Sequence, residues 1–278
     1  MPRRSAPTLT LDPALHIRSR NNARWKELRQ RLLHSSRVGD HLLAIEGIHL
    51  VEEVLRSGLA LETLFLREDT LARVAEFPAK EIFIVENEIF NQGCATQAPQ
   101  GVAALVKKPV ASLDSLLQKK NPLILILDAI QDPGNLGTIL RSAEAFGATG
   151  ALLLPGTVSP WNQKALRASA GSVFRVPLVA LSDPTPLTRL RTLKIPIHAA
   201  VARDGKNVNE VSLTGPAALL IGNEGAGISA ALLAIADHRI QIACPGRVES
   251  LNAAVAASIL MYAASQQRSA SHSKMKNS

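Results

Sequence analysis

The feature that most constrains the fold is a series of short, uniformly apolar runs in the second half of the chain, each followed by a helical pattern. The runs are Leu123–Ile130, Ala151–Leu154, Val176–Ala180, Ile195–Val201, Ala217–Ile221 and Ile240–Ala243. Strands that are apolar on both faces must be covered on both faces, which predicts a mostly parallel sheet between helical layers. The helices fall at about 136–146, 162–168, 187–193, 228–236 and 250–266.

The first part of the chain alternates more weakly. Apolar runs at His41–Ile45, Leu61–Leu66, Ile82–Val85 and Val102–Val106, with helices at Ile48–Arg56 and Leu71–Phe77, predict a small α/β domain. Before it, Asn22 is placed to cap a helix reaching Leu33, with Trp25, Leu28 and Leu32 as its core stripe. The expected organisation is a flexible basic arm over 1–20, a first domain over 21–106, a linker over 107–122, a second domain over 123–266 and a disordered tail over 267–278.

Charge bears on partners. Of a formal net charge of +8, most lies in residues 1–37, where nine Lys/Arg face two acids. A basic N-terminal region points to a polyanion, with Arg18, Arg20, Arg24, Arg29 and Arg31 as phosphate contacts. The same charges also fit a merely solvated face. Two distant cysteines, Cys94 and Cys244, give neither a disulfide framework nor a metal site. No apolar stretch of membrane-spanning length is present, and a soluble, cytoplasmic protein without a metal is expected.

Three polar segments stand where apolar runs end, the place where open α/β sheets build ligand sites. The first is Asp132–Arg141, with Gly134, Asn135, Gly137 and Arg141. The second is Gly222-Asn223-Glu224-Gly225-Ala226-Gly227, whose GxxGxG spacing differs from the GxGxxG dinucleotide fingerprint and lacks the later ribose-binding acid. No phosphate-binding GxxxxGK[ST] occurs either. The third, Cys244–Asn252, turns at Pro245-Gly246 and opens a long helix at Ser250-Leu251-Asn252. There Ser250 is equally a helix cap and a ligand group.

Together these segments resemble the signature motifs of the SpoU (TrmH-like) class of the SPOUT RNA 2′-O-ribose methyltransferases: Asn135, Gly137 and Arg141; Gly222, Glu224 and Gly225; Ser250, Leu251 and Asn252. The resemblance covers about 123–265, and residues 23–106 are similar, less specifically, to the L30e-like substrate-binding domain that often precedes it. It implies a deep C-terminal trefoil knot, which periodicity alone would not predict. It also implies S-adenosylmethionine as cofactor, a homodimer, and an RNA ribose 2′-hydroxyl as acceptor, with 23S ribosomal RNA ahead of transfer RNA.

The cofactor would be held by Leu220, Gly222, Gly225, Ile242, Pro245, Gly246, Leu251 and Ala253. Asn135, Arg141, Glu224, Ser250 and Asn252 would form the catalytic group, with Glu224 orienting the Arg141 guanidinium. Arg141 either acts as base or stabilises the developing alkoxide, and a guanidinium with a pKa above ~12 favours the latter. Arg167, in a stretch with Ser169, Gly171 and Arg175, would face RNA. The competing reading is a non-catalytic RNA-binding scaffold on the same fold, for which five intact polar site groups are unnecessary. A nucleotide-dependent small-molecule enzyme is disfavoured by the missing fingerprint and the basic N-terminal region.

Overall fold

The computed structural model describes residues 15–34, 41–71 and 77–276, with side chains through Ser271. The chain divides after Lys108 into two units.

The first unit is built on five strands, β1 (His16–Ile17), β2 (Leu42–Glu46), β3 (Leu61–Arg67), β4 (Ala79–Val85) and β5 (Val102–Lys107), in the order β1-β4-β3-β5-β2. β1, β4 and β3 run parallel, while β5 is antiparallel to β3 and β2. Its described helices are α1 (Ala23–Leu33), α2 (Ile48–Arg56) and α3 (Asn87–Gly93). Asn22 caps α1 as expected, its side-chain oxygen accepting from the N–H groups of Arg24 and Trp25 at 2.9 and 3.3 Å. Trp25, Leu28 and Leu32 are buried, and the Trp25 ring packs on Phe65 and Phe90.

One expectation changes here. Residues 1–14 of the expected arm lie outside the described residues, but His16–Ile17 is a strand on β4, with Ile17 buried in the core beside Trp25. A two-residue strand leaves no period to detect. The expected helix at Leu71–Phe77 falls mainly on residues outside those described. α3, with only Ile89 and Phe90 as its apolar anchor, gave no readable pattern.

In the second unit, the expected linker is no bare connector. Ser112 caps α4 (Leu113–Leu117), and Leu116 and Leu117 enter the second core. The strands are β6 (Leu123–Leu127), β7 (Gly150–Leu153), β8 (Leu178–Ala180), β9 (Ile197–Ala200), β10 (Lys206–Asn207), β11 (Ala217–Ile221) and β12 (His238–Gln241). All overlap an expected apolar run except β10, a polar two-residue edge strand, and β12 shares only Ile240 and Gln241 with its run. The order is β10-β12-β9-β11-β6-β7-β8, and every pairing is parallel. β6 and β11, side by side at the centre, are buried along their whole length.

The helices are α5 (Pro133–Ala145), α6 (Gln163–Ser169), α7 (Thr188–Thr192), α8 (Ala230–Ile235) and α9 (Ala253–Lys276). α9 overrides the expectation of a disordered tail. Polar composition from residue 267 onward reads as disorder, yet Gln267 exchanges hydrogen bonds with Leu213 N–H and Val211 C=O. Arg268 next to it donates to the carbonyls of Leu213, Asn121, Pro122 and Gly215.

From β6 the chain steps outward through β7 to β8, then restarts on the other side of β6. That reversal places the carboxyl ends of β6, β11, β9 and β12 around one region, where this architecture holds ligands.

Candidate active site

A cavity of about 660 Å³ opens at these strand ends. Its walls are residues 200–204 after β9, 221–227 after β11, 240–244 and 248–251 after β12, and Ala253, Ala256 and Leu260 of α9. The volume lies within the ~300–1,000 Å³ typical of small-molecule sites.

The 222–227 loop is tightly made. Asn223 and Gly227 exchange backbone hydrogen bonds of 3.0 Å, Asn223 Oδ1 accepts from Gly225 and Ala226 N–H, and Asn223 Nδ2 donates to Ala129 C=O. Gly222 permits this closure: a Cβ there would stand 2.4 Å from both Gly227 C and Ile228 N.

Three predicted polar residues meet beside the cavity. Asn135, in the first turn of α5, donates from Nδ2 to Glu224 at 2.9 Å and accepts at Oδ1 from Asn252 Nδ2 at 3.1 Å. Glu224 also accepts from the N–H groups of Gln131 and Asp132. Burial pushes the Glu224 carboxyl up, but the Asn135 amide and these backbone donors outweigh it and hold the group below its ordinary pKa. Asp132 caps α5 through Asn135 N–H at 2.8 Å and pairs with Lys164 of α6 at 2.7 Å. The Lys164 ammonium first, and the Asn135 N–H second, keep the Asp132 carboxyl below its usual range.

Gly137 brings α5 and α6 into backbone contact. A Cβ on it would lie 2.5 Å from Ala168 Cβ and 2.6 Å from Ala165 O. On the other side, Ser142 Oγ and Ser258 Oγ, 2.7 Å apart, join α5 to α9.

Two catalytic candidates stand apart from this network. Arg141 is exposed on α5 and, among the described residues, has no hydrogen bond or ion pair, so Glu224 does not orient it. Six residues of helix set Arg141 about 9 Å along the axis from Asn135. Ser250 is exposed and is not the cap: Asn252 Oδ1 fills that role, accepting from Ala254 and Val255 N–H.

Of the cofactor candidates, Gly222, Gly225, Ile242, Leu251 and Ala253 line the cavity. Leu220 points instead into the core of the sheet. Pro245 and Gly246 are exposed at the tip of a loop whose ends, rather than its turn, form the wall. Sequence reasoning missed the 200–204 segment. The signal was available, since it too follows an apolar strand. Its Arg203 pairs with Glu249 at 3.7 Å, both at the cavity wall.

The basic residues are less bare than the sequence implied. Arg24 Nη2 donates to both carboxylate oxygens of Glu81 and Arg24 pairs with Glu27, Arg31 pairs with Glu27 and reaches Leu42 C=O, and Arg20 faces Glu88 at 3.6 Å. Glu81 and Glu88 come from β4 and α3, outside the stretch whose charges were counted, so that count overstated the free charge. Arg18, Arg29 and Arg167 have no ion pair among the described residues, and Arg167 is exposed on α6. Arg175 pairs with Glu144, and Ser169 is buried with its hydroxyl on Leu166 C=O.

Among the described residues there is no cluster of His, Cys, Asp or Glu able to hold a metal, and no helix is long and apolar enough to cross a membrane. Cys94 and Cys244 are free thiols.

An all-parallel sheet with a reversal beside its central strand, glycine turns and a polar triad at the strand ends defines an α/β protein with a ligand site of the kind that SpoU methylases carry. The model of the SpoU rRNA Methylase family matches residues 122–262, and that of the MRM3-like substrate binding domain matches residues 22–104. The 23S rRNA (guanosine(2553)-2′-O)-methyltransferase RlmP of Bacillus subtilis is 32% identical over 88% of this chain and 97% of its own. The AdoMet-bound rRNA methyltransferase of Sinorhizobium meliloti superposes with a TM-score of 0.79 at 26% identity, covering 90% of this chain and 97% of the other. The SpoU methyltransferase AviRb of Streptomyces viridochromogenes, in complex with AdoMet, does so with a TM-score of 0.77 at 28% identity, covering 89% and 98%. The chain belongs to the SpoU rRNA methylase family.

Proposed function

We propose that this protein is an S-adenosylmethionine-dependent RNA 2′-O-ribose methyltransferase acting on 23S ribosomal RNA in the cytoplasm. The observation that carries the reading is the junction of Asn135 and Asn252 with Glu224, which lines the cavity, and Arg141 further along the same helix as Asn135. RlmP and the 23S rRNA (uridine(2479)-2′-O)-methyltransferase of Streptomyces viridochromogenes, 28% identical over 92% of this chain, are both 2′-O-methyltransferases of 23S rRNA and support the choice of substrate.

The cavity fits the cofactor in size and make-up: backbone of three strand-end loops, apolar faces from Ile242, Leu251 and Ala253, and a 222–227 wall whose tight closure depends on Gly222 lacking a Cβ. When bound, S-adenosylmethionine supplies an electrophilic methyl on its sulfonium. The chain's own task is to hold the ribose hydroxyl in line and to stabilise charge on its oxygen. Geometry of that kind can lower a barrier by ~7–11 kcal/mol in the best cases. Arg141 does the electrostatic part, because a guanidinium stays charged and its planar fork suits an alkoxide and an adjacent phosphate; already protonated, it cannot take the hydroxyl proton, which passes to water or that phosphate. The Asn135, Glu224 and Asn252 junction fixes the helix that carries it.

The further reading includes a C-terminal trefoil knot and a homodimer. Insertion of β11 between β6 and β9, and the return of the chain after β12 to pack α9 on α5, support the knot. Val255 and Tyr262, seven residues apart on α9 and exposed by 46% and 51%, support the dimer. Arg18, Arg29 and Arg167 supply phosphate contacts.

The test is transfer of labelled methyl to hypomethylated 23S and transfer RNA, with the product mapped by nuclease digestion. One labelled nucleotide in 23S rRNA, lost in Arg141→Ala, is the expected result. Cofactor binding without transfer to either RNA would overturn it in favour of a scaffold role.

A further inference from the structure

From the polar chain that joins α6 to α5 and onward to the cavity, we infer that Asp132 and Lys164 are positioning residues for the reaction, holding α5 so that Arg141 meets the acceptor. The inference rests on the methyl-transfer reading above. Asp132 uses its two carboxylate oxygens separately: Oδ1 accepts from Asn135 N–H at 2.8 Å and Oδ2 from Lys164 Nζ at 2.7 Å. The Asp132 backbone N–H donates to Glu224, which also takes the Asn135 side chain, and Asn135 in turn receives Asn252. The first turn of α5 is therefore tied to the 222–227 loop and to the start of α9 from within the site, and to α6 through Lys164 alone among these bonds. The Lys164 stem crosses Gly134, where a Cβ would stand 3.3 Å from Lys164 Cε.

Both side chains of the pair are well exposed, 59% for Lys164 and 44% for Asp132. Such pairs contribute little to stability, so stability gives no reason for this one. Its leverage is geometric. Arg141 lies about 9 Å along the helix from Asn135, and a tilt of about 6° at the first turn moves it by about 1 Å. A displacement of that size costs roughly 100-fold in rate when reacting groups must be aligned.

The experiment uses full-length protein and compares Asp132→Asn, Lys164→Met, the double variant and Lys164→Arg. Asparagine keeps a capping oxygen for Asn135 but loses the charge; methionine keeps the stem over Gly134. Three quantities are read: kcat with separate KM for RNA, the Kd for S-adenosylmethionine by calorimetry, and hydrogen exchange of the 130–142 peptide. Both single variants should lower kcat roughly 10- to 100-fold, leave KM for RNA and the Kd within about twofold, and speed exchange in the first turn of α5. The double variant should be no worse than either single one, and Lys164→Arg should recover most of the rate. Unchanged kcat in the single variants overturns the inference. So does a raised KM for RNA in Lys164→Met alone, which marks Lys164 as a direct phosphate contact. If wild-type protein transfers no methyl, the parent reading fails, and exchange in the 130–142 peptide then decides by itself whether the pair holds α5.

Discussion

Arg268→Ala tests how the end of the chain is held. The guanidinium donates to four carbonyls, Leu213 at 2.9 Å, Asn121 at 2.9 Å, Pro122 at 3.2 Å and Gly215 at 2.5 Å. Desolvation lowers its pKa. Gly215 is exposed and Asn121 partly so, and water can take over their carbonyls; the Pro122 carbonyl keeps the Ala217 N–H at 2.9 Å, whereas Leu213 is buried. The loss is therefore counted on one acceptor, Leu213 C=O, left without a donor, at ~1–3 kcal/mol. For a unit of this size each kcal/mol moves the melting point by about 2–4 °C. Calorimetry should show the transition of the second unit falling by about 2–12 °C while that of the first stays in place. Arg268→Lys, a point donor in place of a fork, should recover less than half of the loss. A shift below about 2 °C for Arg268→Ala, or full recovery by lysine, would refute the claim that the four-carbonyl clamp anchors α9.

Gly137→Ala would ordinarily gain up to ~1 kcal/mol of helix propensity. Here the new methyl meets the Ala165 carbonyl at 2.6 Å, and net destabilisation of ~1–3 kcal/mol is expected in urea titrations, with kcat reduced more than KM. Gly222→Ala should abolish S-adenosylmethionine binding in calorimetry, because its Cβ cannot fit 2.4 Å from Gly227 C; a retained Kd would show that the loop can reopen at no cost. His198 is buried on β9 with neither ring nitrogen hydrogen-bonded among the described residues. Burial first, and His238 beside it second, bring its pKa down to about 4. Between pH 6.5 and 4 the unfolded chain therefore binds a proton that the folded unit does not, so stability is full above about 6.5 and falls by ~3 kcal/mol on acidification through that window. Urea midpoints at pH 7.5, 5.5 and 4.5 should show the slope, and His198→Leu should flatten it.

The sheet of the second unit was legible because strands buried on both faces are apolar without alternation, and the three site segments because glycine and polar residues interrupt them abruptly. That pattern located the segments; the resemblance to the SpoU motifs singled out Asn135, Glu224 and Asn252 within them. Their partners could not be read from either. Glu224 lies 89 positions from Asn135, and nothing local says that it binds this amide and two backbone N–H groups rather than Arg141. Arg24 and Glu81, 57 positions apart, show the same limit in the first unit, where counting nearby charges made a paired arginine look free. His16–Ile17 is too short to carry a period, and residues beyond 266 look like a tail because what orders Gln267 and Arg268 comes from the 211–215 segment and, for Arg268, from Asn121 and Pro122 as well.

The strand order also governs how this protein can be made. Among the described residues β9 has ladder partners only in β11 and β12, both of which follow it in the chain. β6 keeps its β11 edge open until residue 221 has been synthesised. About 90 residues separate the two strands, so at ~5–20 residues per second that edge waits ~5–20 s on the ribosome. Over that interval an unpaired, wholly apolar strand stands ready to pair with other nascent chains. In the first unit the waits are shorter, about 56 residues from the end of β2 to the start of β5, or ~3–11 s at the same rate. Translation speed across 128–221 and chaperone supply should therefore set the yield of active protein more strongly than its final stability does.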